Sequence, residues 1–154
     1  MRASAFATFL SVLFLLLPSG GFAQAAAETA YDVEGGQISV PEGVTLMVKK
    51  ITVGTDATIV NVLLSYDGDS TSVDMTSDPT YLELPDGQRL FLRPIKDNPE
   101  LEIEEGQSLQ GDLVFPGAVP AGTESVTLVM NEGNDGDDIA APGIVLPLKL
   151  KATE

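Results

Sequence analysis

Eight residues toward the C-terminus, Asn131-Glu132-Gly133-Asn134-Asp135-Gly136-Asp137-Asp138, crowd carboxylate and amide oxygens onto a glycine-bearing stretch. Hard cations take oxygen ligands from loops of this composition, and calcium is the natural candidate outside a cell. The candidate metal ligands are Asp135, Asp137 and Asp138, with Asp67 or Asp69 reaching in from another turn. An EF-hand is excluded: counted from Asn131, Gly133 falls where a ligand is required and Pro142 falls where that loop needs its bidentate glutamate. The plainer alternative is a solvated loop between the last two strands.

Glu102, Glu104 and Glu105 form the other close group of carboxylates, and glycoside hydrolysis needs a carboxylate pair with one raised pKa. Glu102 and Glu104 alternate with Leu101 and Ile103, which sets both on the solvent side of a strand. Ser39, Ser65, Ser70, Ser72, Ser108 and Ser125 have no Gly-x-Ser-x-Gly context for a nucleophile. Cysteine and histidine are both absent. That excludes disulfides, thiol nucleophiles, iron–sulfur sites, a Ser-His-Asp triad, ordinary zinc or copper sites and a lipid-modified cysteine.

The elements that must carry these residues begin after a leader. Arg2 is followed by a nearly unbroken apolar run from Ala5 to Leu17 and by small residues through Ala25. The run is too short to span the roughly 30 Å of a bilayer core, and Ala23 and Ala25 suit signal peptidase. Residues 1–25 therefore read as a secretory signal peptide, 26–36 as a flexible acidic tail and 37–154 as one domain. Loss of Arg2 leaves 7 basic residues where there were 8, against 23 acidic ones, so the formal charge moves from −15 to −16. Such a field, with no basic run longer than Lys49-Lys50, opposes binding to nucleic acid or anionic lipid. No stable membrane anchor is expected once the leader is removed.

Within the domain the apolar period is two. Val60, Val62, Leu64 and Tyr66 line one strand face, and the even positions from Ile144 to Leu150 line another. Pro147 cannot donate to a ladder, so the last strand should lie at an edge or have its proline side free. Val44 to Val53 changes phase between Val48 and Ile51, the mark of a bulge at Lys49-Lys50. Leu84-Pro85-Asp86-Gly87-Gln88-Arg89-Leu90 is the clearest hairpin, and Val73 to Met75, Tyr81 to Leu84, Leu90 to Arg93, Leu109 to Phe115 and Val126 to Asn131 add further short strands. Leu113-Val114-Phe115 and Val126 to Met130 are apolar on both faces, so their outer sides need loops, a partner or a second copy to cover them.

Three of these stretches carry a family resemblance. Thr58 to Tyr66 is similar to a strand before an acidic turn, Tyr81 to Leu90 to a strand, Asp-Gly, strand hairpin, and Leu101 to Pro116 to a turn and small-residue strand ending in Val-Phe. In that order they resemble a family of exported bacterial immunoglobulin-like domains of unknown function, distantly similar to small secreted mycobacterial antigens. Glu104-Glu105-Gly106 stands where that family has Pro-Gly, and the Asn131 to Pro142 connection is longer. The resemblance implies an immunoglobulin-like fold and carries no catalytic residue with it.

The fold expected is all-β, an immunoglobulin-like antiparallel β-sandwich of about 7–9 strands. Its core should hold Val60, Val62, Leu64, Leu82, Leu84, Leu90, Leu92, Leu113, Phe115, Val126, Leu128, Ile144, Leu146 and Leu148. The function expected is that of an exported, soluble, non-catalytic domain working by contact with an unidentified protein partner or by self-association, in the periplasm or outside the cell. A calcium-binding module using the acidic loops is the alternative, and a carboxylate-based hydrolase the second. No cofactor other than calcium is expected.

Overall fold

The computed structural model describes residues 28–153; the expected leader and the chain's last residue lie outside them. The described residues form eleven strands and no helix, and so contain no helix long and apolar enough to cross a membrane. The strands are β1 (Thr29–Glu34), β2 (Gln37–Ser39), β3 (Val44–Val53), β4 (Ala57–Tyr66), β5 (Ser72–Asp74), β6 (Tyr81–Glu83), β7 (Arg89–Phe91), β8 (Glu102–Glu104), β9 (Ser108–Pro116), β10 (Ser125–Met130) and β11 (Ile144–Ala152). The expected all-β antiparallel class is the one observed.

One sheet runs β7-β6-β10-β11-β1-β3-β4-β9, with β2 also on β3, while β5 and β8 pair separately. Every pairing is antiparallel. The sheet folds over its own apolar face until its ends meet: Arg93, just past β7, donates its N–H to the Val114 carbonyl of β9 at 2.8 Å. The result is a sandwich close to barrel closure.

Thr29–Glu34 lies within the stretch expected to be a tail, yet it is the strand that joins the two halves. It pairs with β11 from Tyr31↔Ala152 to Glu34↔Lys149 and with β3 from Thr29↔Val53 to Asp32↔Lys50. Tyr31 and Val33 turn half-buried against the core while Asp32 and Glu34 face solvent, so the period-two pattern is present but short. Glu34 also meets Lys151 at 2.9 Å. β1 and β2 bring the strand number above the range expected.

The bulge falls where the phase change puts it, between Val48 and Lys50, leaving both Lys49 and Lys50 in solvent. Pro147 is not on an edge strand. Leu150 N–H bonds Glu124 across the β10 side, so by alternation Pro147 faces the β1 side, beyond the last pair Glu34↔Lys149. Its missing donor is therefore required by no neighbour.

The core runs through both halves, with Leu46, Ile51, Val60, Leu64, Phe115, Leu82, Leu128 and Leu148 each no more than 1% exposed. Val73 of β5 and Ile103 of β8 bring the small second sheet into the same core. Every expected core residue is buried except Leu92, which is half-buried against the cluster. Tight turns are set by contact as well as by sequence. Tyr66 Oη bonds Glu42 at 3.2 Å and accepts the Ser70 N–H at 2.9 Å, and the space for a side chain at Gly68 is taken by the Tyr66 ring and the Glu42 carbonyl.

Phe115 is fully buried. Phe115→Ala should cost about 3–5 kcal/mol in urea unfolding with an unchanged m-value. A loss below about 1 kcal/mol would show that the site collapses around the truncation or that Phe115 does not anchor the core.

Candidate functional site

The stretch from Asn131 to Asp138 is pinned to the domain by its first residue. Asn131 is 1% exposed and holds a left-handed backbone at φ 52°, a conformation asparagine tolerates better than most residues. Its Oδ1 accepts the Asp78 N–H at 3.1 Å, and its Nδ2 donates to the Asp74 carbonyl at 2.8 Å and the Pro142 carbonyl at 3.1 Å. Asn134 repeats the device, donating to the Asp78 carboxylate and to the Ala141 carbonyl, each at 2.9 Å. Two loops distant in sequence are thereby locked together through side-chain amides.

Asp135, Asp137 and Asp138 are all exposed. Asp138 spends its carboxylate on the chain itself, one oxygen accepting the Ala140 and Ala141 N–H groups at 3.0 and 2.9 Å. Those two amides, Ala141 foremost, hold its pKa below the ordinary aspartate value. Among the described residues no three carboxylates gather in a way that could hold a metal ion, Asp67 and Asp69 included.

Glu102 and Glu104 stand exposed on β8 with Ile103 buried between them, as the alternation requires. Glu102 accepts the Ser72 hydroxyl at 2.9 Å. Asp74, opposite Glu102, has its pKa raised, first by burial and then by Glu100 and Glu102.

The outward face of β7, β6, β10 and β11 is different in kind. Registers Tyr81↔Phe91, Val129↔Tyr81 and Val129↔Val145 set Phe91, Tyr81, Val129 and Val145 in one row across four strands. A solvated sheet face should alternate to polar residues here. Instead the row is apolar, with Phe91 54% and Val145 60% exposed at its two ends and Tyr81 and Val129 buried between them. The neighbouring row is Arg89, Glu83, Thr127 and Pro147.

Arg89 ties the two rows together. Its guanidinium carbon lies 4.2 Å from the centre of the Tyr81 ring, its Nε meets Glu83 at 3.3 Å and its Nη1 meets Glu132 at 2.9 Å. Tyr81 packs edge-on against Phe91 at 5.5 Å and donates its hydroxyl to Glu132 at 2.7 Å. Burial of the phenol, helped by that bond, raises its pKa, so Tyr81 remains a donor. A shallow cavity of about 340 Å³ opens above these side chains, bounded on one side by Glu132, Gly133 and Asn134.

Val129 was legible as one of the outward apolar residues of Val126 to Met130; the row it joins was not, because its members come from four separate strands. Compared with known proteins, the chain matches no family model, no curated protein and no solved structure.

Replacing Asn131 separates its two roles. Asn131→Ala should cost about 2–3 kcal/mol, because it leaves the buried carbonyl of Pro142 and the part-buried main-chain groups of Asp74 and Asp78 without their partner. Asn131→Gly relieves the backbone but not the lost bonds, and should retain most of that cost in thermal or urea unfolding. A glycine variant within about 0.5 kcal/mol of the parent would show that the backbone conformation alone is what Asn131 supplies.

Proposed function

We propose that this chain is an exported, soluble, non-catalytic domain that binds a protein partner through the outward face of β6, β7, β10 and β11. The observation that carries the reading is the row Phe91, Tyr81, Val129 and Val145, whose exposed ends Phe91 and Val145 are apolar where a solvated sheet face would be polar. Aromatic and arginine side chains are the residue types that dominate interface energies, and Tyr81, Phe91 and Arg89 are held together at one end of the row. The Arg89 ion pairs are partly exposed, so solvent screens them and they contribute little to stability. Their effect is to fix the guanidinium over Tyr81, so a partner meets a side chain already in place.

Export rests on the N-terminal residues, with their charged start, apolar run and small-residue end. The resemblance of Thr58 to Tyr66, Tyr81 to Leu90 and Leu101 to Pro116 to exported bacterial immunoglobulin-like domains supports the same placement. A formal charge of −15 over the whole chain opposes close approach of a second copy, which favours a different protein as the partner.

Site-specific photo-crosslinking in the native host tests this. A benzophenone side chain at position 91 or 145 should give a discrete heterologous adduct, while the same probe at exposed Glu124 should give none. Absence of an adduct at both row positions, or the same adduct from Glu124, would overturn the assignment of this face.

A further inference from the structure

The sheet is not closed along the whole of β9. Tyr66 N–H bonds the Gln107 carbonyl and Gly117 N–H bonds the Asp56 carbonyl, so the odd-numbered residues of β9 turn their main-chain groups toward β4. The even-numbered residues turn theirs outward. Arg93 takes the Val114 carbonyl, but among the described residues no main-chain group meets the outward N–H and C=O of Gln110 and Asp112. Gln110 and Asp112 are exposed, which leaves a short open sheet edge.

Beside this edge is an apolar cleft of about 250 Å³, lined by Val62, Leu64, Ile95, Leu101 and Leu113. Gly111 lies on its wall, paired with Val62, and a Cβ placed there would touch nothing within 4 Å. The cleft is thus the space of a side chain that β9 does not supply. Leu101, on the facing loop, keeps a left-handed backbone at φ 53° that a leucine adopts only under constraint. A cavity of about 150 Å³ accepts benzene, so this one has room for a large apolar side chain.

The surroundings select the charge of an occupant. Asp112 stands at the cleft, and Asp97, Glu102 and Glu104 line an adjoining hollow that shares Asn98 and Leu109 with it. Against these carboxylates stand three nearby cations: exposed Arg93, whose N–H bonds Val114, Lys96, next to Ile95, and Lys49, which is held by Gln110 Oε1 at 3.0 Å.

We propose that the β9 edge accepts an extended, basic segment of another polypeptide by strand addition. Its main chain pairs with Gln110 and Asp112, an apolar side chain enters the cleft beside Gly111, and flanking lysine or arginine meets the acidic rim. This rests on the reading of the chain as a protein-binding domain and adds the chemistry of the partner. A second copy is a poor occupant, since the chain's longest basic run is Lys49-Lys50 and its formal charge is −15.

The test titrates isotope-labelled protein with a nine-residue peptide alternating lysine and valine, and with its glutamate and valine counterpart. The lysine peptide should shift and protect the Gln110 and Asp112 amides, bind about tenfold more tightly than the glutamate peptide at low salt, and weaken as salt is added. Gly111→Val fills the cleft at an ordinary strand conformation and should weaken the lysine peptide about tenfold without lowering the thermal midpoint. The double variant Phe91→Glu, Val145→Glu should leave it unchanged. Equal affinity for the two peptides, perturbations away from β9, dimerisation through β9 in sedimentation, or indifference to Gly111→Val would each overturn the proposal. If β9 fails while crosslinks still form from positions 91 and 145, only this inference falls; if both fail, the protein-binding reading falls with it.

Discussion

The constraint on which this molecule depends is that every sheet edge presents main-chain donors and acceptors that must find a partner or water. A nine-strand sheet laid flat would leave two such edges far apart. Here the sheet folds over its apolar face until Arg93 reaches Val114, and the two edges cover each other at one point. β1 serves two neighbours at once, pairing along one edge with β3 from Thr29 to Asp32 and along the other with β11 from Tyr31 to Glu34. Removing β1 from that position would divide the sheet into two halves joined by their side chains and by the main-chain contact of Arg93 with Val114.

The interior follows from the same geometry. Folding the sheet sets the alternating residues of β3 and β4 against those of β6, β10 and β11, and Phe115 fills the centre as one of the largest fully buried side chains. The loops that leave the sheet are then fixed by buried polar side chains. Thr58 donates to the Gly117 carbonyl at 3.0 Å and accepts the Val119 N–H at 3.2 Å, while Asn131 does the same work for three segments at the other connection. No buried side-chain polar atom among the described residues is left without a partner. A scaffold satisfied in this way directs attention to its surfaces, where an apolar row and an open strand edge are the two departures from the pattern.

Much of the scaffold could be read from residues alone. The phase change at Lys49-Lys50, the Pro-Asp-Gly hairpin and the free side of Pro147 each state a local geometric requirement, and each is met. β1 escaped because Tyr31 and Val33 are only two apolar residues among Glu28, Asp32 and Glu34, and its strand character comes from neighbours at distant positions. Asn131 read as the start of an acidic loop, since nothing local reveals that its amide reaches Asp74, Asp78 and Pro142. The apolar row was hidden for a related reason: Phe91, Tyr81, Val129 and Val145 become adjacent only through three strand registers. Gly111 carries no local signal, because its significance lies in the empty space beside it and the unpaired edge next to that space.

Closure at Val114 and opening at Gln110 and Asp112 are the centre of this account, and native-state hydrogen exchange of the β9 amides tests them together. Leu109, Gly111 and Leu113, turned toward β4, should exchange slowly, while Gln110 and Asp112 should exchange orders of magnitude faster in the unliganded protein. Uniform protection along β9 would contradict the account, because it would mean that the edge is already covered.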